Sequence, residues 1–188
     1  MRTFGYPVYL DLRDVPVLVV GAGPIAARKV AGLVDAGAAV TVVAPSVSES
    51  LDRATVVEVR ERPFEPADLA GMRLVITATG RADVDAEVAG AATAAGIWAN
   101  AADQPDDCSF ILPAIARNGP LAVAVSTGGA SPALARRLRD HAGALLSDEV
   151  VALAADLQAR RAAVRAAGGS TEVVDWSGLI DPVLPPVA

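Results

Sequence analysis

The residues best suited to a specific chemistry form a glycine-rich turn at positions 21–26, Gly-Ala-Gly-Pro-Ile-Ala, directly after an apolar run. In this spacing Gly21 permits a tight turn, Gly23 lets the backbone approach a pyrophosphate, and the small Ala26 allows a helix to pack closely on a strand. The pyrophosphate would bind the unpaired amides at the positive end of the helix dipole. Small residues also serve ordinary turns, but a position between a predicted strand and a predicted helix favours a dinucleotide site.

Residues after the other predicted strands extend this candidate site, because ligands of an open parallel sheet bind beyond the carboxyl ends of its strands. We expect the nucleotide to contact Gly21, Ala22, Gly23, Pro24, Ile25, Ala44, Pro45, Ser46, Thr79, Gly80 and Asn100. The carboxylate that usually binds the ribose hydroxyls after the second strand is absent. Either the backbone and Ser46 hold the ribose, or the nucleotide binds weakly, and the nearby Arg53 leaves NADP open as the cofactor.

Asp103 is the carboxylate that we single out for proton chemistry. It follows the predicted fifth strand, on the side of the sheet where a nicotinamide would lie. A carboxylate there can accept a proton, or bind a metal while the metal exchanges with N–H protons. The alternative is a turn residue before Pro105, which spacing alone favours. The neighbouring Asp106 and Asp107 are predicted to be solvated turn residues.

A second set of polar residues surrounds a predicted helix that begins at Pro132. Arg136 and Arg139 lie three positions apart, so they share a helix face and could jointly bind carboxylates. A solvated surface or a subunit contact explains the same pattern equally well. The segment 127–129, Thr-Gly-Gly, could bind a second anion or only cap the helix.

No residue pattern indicates a metal centre or a hydrolytic site. His141 is the single histidine, and no partner histidine or cysteine lies at a ligand spacing. Cys108 is the single cysteine, which excludes an internal disulfide and fits a reducing cytoplasm. Its apolar context favours packing over catalysis. We find no triad-like spacing for serine hydrolysis.

Alternating strand and helix patterns predict the scaffold that positions these residues. We expect a strand or extended arm at residues 6–12. Further strands are predicted at residues 17–20, 39–43, 56–60, 74–78 and 97–99, and helices at residues 24–36 and 82–95. Such an alternation implies right-handed βαβ crossovers and a parallel sheet, which is a Rossmann-like α/β fold.

The pattern changes beyond about residue 113. Two strands are predicted at residues 109–113 and 121–125, with a turn between them at residues 117–120. Two helices are predicted to follow, at residues 132–145 and 148–167. The tail beyond these helices has no clear regular pattern.

The length of the chain is typical of one domain with a smaller additional region. The chain has 188 residues, and its net charge of −6 argues against nucleic acid as a partner. Arginine supplies nearly all of the positive charge, and Lys29 is the only lysine. No apolar run approaches the roughly 20 residues that span a bilayer, and the start lacks a signal-peptide pattern. We therefore expect a cytoplasmic protein that makes no membrane contact.

Five segments occur in an order that is typical of one family. They are residues 21–29, 37–45, 100–103 (Asn-Ala-Ala-Asp), 108–113 (Cys-Ser-Phe-Ile-Leu-Pro) and 126–136. This ordered set resembles the precorrin-2 dehydrogenase/sirohydrochlorin ferrochelatase family, the dehydrogenase module of siroheme synthases, over about residues 6–145. The sequence departs from the family pattern at residues 80–83 and beyond about residue 147.

The resemblance implies an NAD-binding Rossmann-like domain at residues 1–113, a dimerisation segment at 114–146 and a small helical C-terminal region at 147–188. It implies NAD-dependent oxidation of precorrin-2 to sirohydrochlorin, and in many members the insertion of ferrous iron to give siroheme. A homodimer is the natural way to complete a substrate cleft from so small a chain.

The resemblance also implies roles for individual residues. Asp103 matches the family's essential aspartate and becomes the predicted general base. The family's nucleotide contacts match Pro24, Ile25, Pro45 and Ser46, and the absence of a ribose acid is usual in this family. The substrate is a polycarboxylate, which explains an arginine-rich helix in an acidic protein. We expect the tetrapyrrole to contact Ser126, Thr127, Gly128, Arg136 and Arg139.

The alternative function is a non-enzymatic NAD(H)-sensing regulatory module. It explains the Rossmann-like half equally well, but it leaves residues 100–113 and the arginine-rich helix without a role. Metal insertion without oxidation is a third hypothesis, and NAD binding would speak against it because that chemistry needs no nicotinamide.

Overall fold

The computed structural model describes residues 4–186 and divides into two units, Met1–Ile111 and Leu112–Ala188. The helices and strands described in the first unit are β1 (Pro16–Val20), α1 (Pro24–Asp35), β2 (Ala39–Val43), β3 (Glu58–Arg60), β4 (Leu74–Thr77), α2 (Ala82–Ala94) and β5 (Trp98–Ala101). Those described in the second unit are β6 (Ala114–Asn118), β7 (Leu121–Val125), α3 (Pro132–Gly143), α4 (Asp148–Ala166) and α5 (Ser177–Ile180).

The strands of the first unit form one parallel sheet in the order β3-β2-β1-β4-β5. The central strand β1 is apolar, and residues 17–20 are each at most 2% exposed, as expected for a strand buried on both faces. The chain runs from β1 outward to β2 and β3, then returns to the other side of β1 as β4. Doubly wound folds bind ligands where the strand order reverses in this way. The predicted Rossmann-like α/β fold is confirmed.

Helices cover both faces of this sheet, and successive residues of β1 pack against different helices. Val17 and Val19 belong to a core cluster with Val30 of α1. Leu18 belongs to a second cluster with Val88 of α2. The central strand that carries the glycine-rich turn is therefore held from both sides.

The differences from the predicted elements of this unit lie at the edges of the sheet. Residues 6–12 form no strand and Tyr6 is 89% exposed, so the predicted strand is wrong there and the extended arm stays a prediction. The third strand begins at Glu58, two residues later than predicted. The fifth strand is Trp98–Ala101, so Asn100 lies within it.

A buried carboxylate ties the edge strand β3 to the segment that follows it. Asp68 accepts hydrogen bonds from Arg60 Nη1 at 2.8 Å and from Arg62 Nη1 and Nη2 at 2.8 and 2.5 Å. The Glu65 amide donates a further hydrogen bond at 2.9 Å. Burial acts to raise the pKa of Asp68, but the hydrogen bonds from Arg62, Glu65 and Arg60 outweigh it and lower the pKa to about 2. The carboxylate is therefore ionised at neutral pH.

In the second unit, β6 and β7 form an antiparallel hairpin on which α3 packs. Gly119 turns the chain with a φ of +53°. At the end of β6, the Asn118 side chain donates to the Leu146 carbonyl oxygen at 2.8 Å and to Asp148 Oδ1 at 2.9 Å. These two hydrogen bonds attach the start of α4 to the hairpin.

The predicted strand at 109–113 is wrong, because the first strand of the hairpin is Ala114–Asn118. Residues 109 and 110 instead make irregular bonds to β5. The Ser109 amide donates to the Ala99 carbonyl oxygen at 2.7 Å, and Asn100 Nδ2 donates to the Phe110 carbonyl oxygen at 2.9 Å. These contacts leave residues 109–113 outside any strand ladder.

The described part of the second unit buries very little. Within residues 112–186, Ala135 on α3 is the single residue less than a tenth exposed. Its neighbours Leu134 and Leu138 on the same helix are 48% and 44% exposed. The tail, predicted to be irregular, contains the one-turn helix α5. Within residues 4–186, no helix combines the length and apolar character needed to cross a bilayer.

Candidate functional site

The carboxyl ends of the strands lie level, so the loops that follow them meet at one edge of the sheet, which we call the carboxyl edge. Val20 at the end of β1 is in register with Val43 of β2 and Thr77 of β4, and Thr77 is in register with Ala101 of β5. The ladder continues into the turn, since the Gly21 amide donates to the Val43 carbonyl oxygen at 2.8 Å. All residues predicted to contact the nucleotide lie at this edge, together with the predicted general base.

The first glycine of the turn is required by its surroundings. Gly21 has a φ of +108°, and a Cβ at this position would lie 2.4 Å from the carbonyl oxygen of Ala78. No side chain fits at that distance. Glycine alone therefore lets the turn after β1 pass against the loop after β4.

The second glycine leaves room for a ligand. Gly23 is the N-cap of α1, and a Cβ there would meet no atom within 4 Å. Pro24 begins the helix without an amide hydrogen, and the Ala27 amide closes the first turn on the Gly23 carbonyl oxygen at 2.9 Å. Ile25 and Ala26 thus lie in the first turn, whose amides have no intrahelical acceptor. Ala26 is buried, whereas Ile25 is 45% exposed. The open space at Gly23 beside Ile25, at the positive end of the helix, therefore fits a dinucleotide pyrophosphate.

The loop after β2 offers backbone groups and a hydroxyl to a ligand. Pro45 and Ser46 are exposed. The Ser48 amide donates to the Ala22 carbonyl oxygen at 3.1 Å, which ties this loop to the glycine-rich turn. The two segments that the sequence predicted to hold the nucleotide are therefore joined by a direct hydrogen bond.

The loop after β4 is held by a buried carboxylate that was not predicted from sequence. Asp85 of α2 is 3% exposed. It accepts hydrogen bonds from the Thr79 amide at 3.1 Å, from Thr79 Oγ1 at 2.9 Å and from the Thr77 hydroxyl. The polar groups of Thr79 are thus engaged with the protein. Gly80 is exposed, with a φ of +76°, and presents the backbone of this loop to solvent.

Asp103 lies in a left-handed turn directly after β5. Its φ is +61°, a conformation rare for residues other than glycine, and the residue is exposed. The buried Cys108 holds the turn, because its Sγ accepts from the Ala101 amide at 3.2 Å and donates to the Gln104 carbonyl oxygen at 3.3 Å. Backbone strain of this kind persists where surrounding contacts impose it, and it clusters at functional sites. The exposed carboxylate can accept a proton from a ligand beside it.

Lys29 of α1 also belongs to this region, although no role was predicted for it. Its Nζ donates to Asn100 Oδ1 at 3.4 Å, and Asn100 is 6% exposed. Burial lowers the pKa of Lys29 below its ordinary value, and the negative charge of Asp103 opposes that shift. The sequence carried one signal for this residue, namely that it is the only lysine.

The residues predicted to bind substrate lie in the second unit, where two hydroxyls shape the loop before α3. Ser126 Oγ accepts from the Gly128 amide at 3.2 Å. Thr127 Oγ1 accepts from the Ser131 amide at 3.2 Å, and Ser131 caps the helix by accepting from the Leu134 amide at 3.2 Å. The cap of this helix is Ser131 rather than residues 127–129, and anion binding by this loop stays a prediction.

The two predicted arginines differ in their surroundings. Arg136 is exposed. Arg139 pairs with Asp140 at 2.6 Å, so binding a substrate carboxylate would require it to exchange that partner. Among residues 4–186, no group of three or more histidine, cysteine, aspartate or glutamate side chains is arranged to hold a metal ion.

Two family models match the chain. Residues 8–114 match the family described as "Putative NAD(P)-binding", and residues 118–141 match the family described as "Sirohaem biosynthesis protein central". The first match covers more than half of the chain and includes every loop of the carboxyl edge.

The chain is also similar to curated and solved proteins. It is 48% identical over 161 residues to a siroheme synthase of Methylococcus capsulatus, covering 82% of this chain and 34% of the relative. It is 42% identical over 184 residues to a siroheme synthase of Methylobacillus flagellatus, covering 95% of this chain and 39% of the relative. The chain thus spans less than two fifths of these relatives. The solved structure of SirC, precorrin-2 dehydrogenase, matches with a TM-score of 0.69 and 28% identity, over 95% of this chain and 87% of that one.

Proposed function

The chain belongs to the family of the precorrin-2 dehydrogenase module of siroheme synthases, and on that basis we propose that it oxidises precorrin-2 to sirohydrochlorin with NAD. One observation carries this proposal. An exposed carboxylate, Asp103, lies in a strained turn at the same sheet edge as a helix start with open space for a pyrophosphate. The relatives named above are siroheme synthases, which favours the enzyme over the nucleotide-sensing alternative.

The residues of the carboxyl edge have different roles in the proposed reaction. The amide of Ile25 binds the pyrophosphate at the start of α1, and NAD, when bound, supplies the hydride acceptor. Precorrin-2 loses two hydrogens, one as a hydride to the nicotinamide and one as a proton. Asp103 takes the proton, which balances the step, and later releases it to water.

NAD rather than NADP is supported by the surroundings of the loop after β2. A 2′-phosphate needs a cation close to the ribose. Arg53, the cation considered from sequence, pairs with Glu61 at 2.7 Å and would have to exchange that partner to bind a 2′-phosphate. The Ser46 hydroxyl and the backbone of residues 44–46 then bind the ribose hydroxyls without a carboxylate.

The polycarboxylate substrate is bound in this proposal by the second unit. Arg136 is exposed and offers a guanidinium that can pair with a carboxylate in a bidentate geometry. Arg139 contributes after exchanging Asp140 for substrate. The loop of Ser126, Thr127 and Gly128 supplies hydroxyl and amide groups. Ferrous iron would enter as a second substrate in a chelatase reaction, and we keep that reaction separate from the dehydrogenase.

A homodimer formed through residues 114–146 completes the proposal. The hairpin of β6 and β7 has two strands, and α3 packs on it. Ala135 is the single residue within 112–186 less than a tenth exposed, so the apolar surface of this unit needs a further surface to cover it. A second copy supplies that surface, and residues 147–188 form the remaining helical region.

The test is anaerobic incubation of the purified chain with precorrin-2 and NAD, following the absorbance of NADH and of sirohydrochlorin. We expect both products to form in equal amounts, and NADP to react more slowly. Ferrous iron added to the same cuvette then tests the chelatase. A chain that binds NAD but forms neither product would contradict the dehydrogenase and return the sensing module as the better hypothesis.

A further inference from the structure

The β4 loop, which we define as residues 77–80, contacts the segments on both sides of it at the carboxyl edge. Towards the glycine-rich turn, the approach is so close that a Cβ on Gly21 would lie 2.4 Å from the Ala78 carbonyl oxygen. Towards β5, the Thr77 carbonyl oxygen accepts from the Ala102 amide at 2.9 Å. The β4 loop therefore links the candidate pyrophosphate site to the residue that precedes the predicted general base.

A single oxygen of Asp85 holds this loop from α2. Asp85 Oδ1 accepts hydrogen bonds from the Thr77 hydroxyl, from the Thr79 amide at 3.1 Å and from Thr79 Oγ1 at 2.9 Å. Asp85 is 3% exposed, and a buried carboxylate costs free energy unless hydrogen bonds satisfy it. It lies in the first turn of α2, whose positive end favours a negative charge. The carboxylate is thus a stable anchor whose donors belong to the β4 loop.

The place of the β4 loop in the sheet indicates which part of a dinucleotide it would contact. In a doubly wound fold the pyrophosphate binds the glycine-rich turn after the first strand, and one ribose lies at the end of the second strand. Here β2 and β4 flank β1 on opposite sides. The nicotinamide half would therefore lie over the β4 loop. Gly80 of this loop is exposed, with a φ of +76°, so its backbone is accessible to that half.

We infer that Asp85 is a positioning residue that fixes the β4 loop under the nicotinamide half of NAD, beside Asp103. This inference rests on the proposed dehydrogenase function. Asp85 takes no proton in the step, which remains a hydride to NAD and a proton to Asp103. Without its carboxylate, Thr77 and Thr79 lose their shared acceptor, and the loop no longer holds the nicotinamide in a fixed place. Small displacements of reacting groups lower the rate strongly.

The first test compares NAD with ADP, each titrated calorimetrically into the full chain. ADP carries the adenosine and the pyrophosphate but lacks the nicotinamide half. We expect Asp85→Ala to weaken NAD binding about tenfold and ADP binding less than about twofold, because the lost hydrogen bonds hold the β4 loop. Asp85→Asn keeps an oxygen acceptor and should restore most of the NAD affinity. Asp83→Ala removes an exposed carboxylate from the same helical turn and should change neither affinity.

The second test measures NADH formation from precorrin-2 at saturating NAD. We expect kcat to fall about a hundredfold in Asp85→Ala, because a nicotinamide misplaced by about an ångström is a poor hydride acceptor. Asp85→Asn should recover most of this loss. If Asp85→Ala does not fold, Thr79→Val takes its place, since it removes one donor to Asp85 at nearly constant volume. It should show the same difference between NAD and ADP on a smaller scale.

Two results would overturn the inference. One is an equal loss of NAD and ADP affinity in Asp85→Ala or Thr79→Val, and the other is an Asp85→Asn chain as impaired as Asp85→Ala. A wild-type chain that binds NAD but forms no NADH would overturn the proposed function alone. The comparison of NAD with ADP would still decide whether Asp85 positions the nicotinamide half.

Discussion

The two units of this chain bury apolar residues to very different extents. In the first unit, clusters on both faces of the sheet include side chains with no exposed surface, such as Val17 and Leu18. In the second unit, the described residues 112–186 include one that is less than a tenth exposed, Ala135. A buried two-sided core holds the loops that follow its strands. The hairpin of the second unit has two strands and packs on α3, whose Leu134 and Leu138 remain exposed. This difference supports our proposal that the first unit binds the nucleotide and the second unit forms the dimer.

Replacing Asp103 tests the assignment of chemistry to the first unit and should have the largest effect. We expect Asp103→Ala to lower kcat by about a thousandfold, because the proton has no acceptor, while NAD binding is retained. Asp103→Asn is the matched variant, since asparagine tolerates a left-handed backbone better than alanine. Equal losses in both variants, measured as NADH formation, would tie the effect to the carboxylate. Full activity in either variant would remove Asp103 from the reaction.

Replacing the two glycines of the turn one at a time tests folding and nucleotide binding of the first unit separately. We expect Gly21→Ala to destabilise the chain by about 4 kcal/mol, because a Cβ at 2.4 Å from the Ala78 carbonyl oxygen forces the loops apart. Gly23→Ala adds a Cβ to open space and should leave the melting temperature nearly unchanged while weakening NAD binding about tenfold. Thermal unfolding and calorimetric titration check both variants. A Gly23→Ala chain with wild-type affinity would contradict the pyrophosphate site.

The ion pairs of Asp68 test how firmly the edge of the sheet is held. We expect Asp68→Asn to lower the free energy of unfolding by about 3 kcal/mol at pH 7, since it leaves Arg60 and Arg62 without their shared carboxylate. Asp83→Asn, which removes an exposed partner of Arg81, is the control and should change stability by less than about 0.5 kcal/mol. Denaturant unfolding measures both.

The same carboxylate predicts how stability depends on pH. The pKa of Asp68 is lowered from 3.8 to about 2 in the folded chain, so its ionised form stabilises the fold at any pH above its unfolded value. That contribution is lost as pH falls from about 4 to about 2. The Asp68→Asn variant should therefore show a flatter decline over this range than wild type. Parallel acid-unfolding curves for the two proteins would contradict the role of Asp68.

The fold was predictable because its signals are local. The apolar run at 17–20 and the glycine spacing after it depend on neighbouring residues in sequence, and both predict the central strand and the start of α1. The carboxyl-edge position of Asp103 followed from the alternation of strands and helices. Its strained backbone did not, since a left-handed aspartate is set by contacts such as those of Cys108 with residues 101 and 104.

The residues that escaped prediction are polar groups whose role depends on distant partners. Asp68 and Asp85 stand in no recognisable sequence motif, and their burial becomes visible only when the fold brings Arg60, Arg62 and Thr77 against them. The first strand of the hairpin was predicted in the wrong place for a similar reason. Residues 109–113 have a strand pattern, but residues 109 and 110 make irregular hydrogen bonds with β5 instead of pairing in a strand ladder.

Replacing an exposed leucine of α3 tests the proposed dimerisation through the second unit directly, and it should have the smallest effect of these substitutions. Leu138 is 44% exposed, and in a homodimer through this unit its side chain would be covered by the second copy. We expect Leu138→Glu to weaken dimerisation by about 2 kcal/mol, or roughly 30-fold in the dissociation constant, because it buries a charge in an apolar contact. Sedimentation equilibrium measures this, with Val173→Glu as the control, since Val173 is 84% exposed in the same unit. A wild-type chain that stays monomeric at high concentration would contradict the dimer, and the poorly buried hairpin would then need a different covering surface. A dimer that Leu138→Glu leaves intact would place the subunit contact on another face, because the same added charge can be tolerated only where water still reaches it.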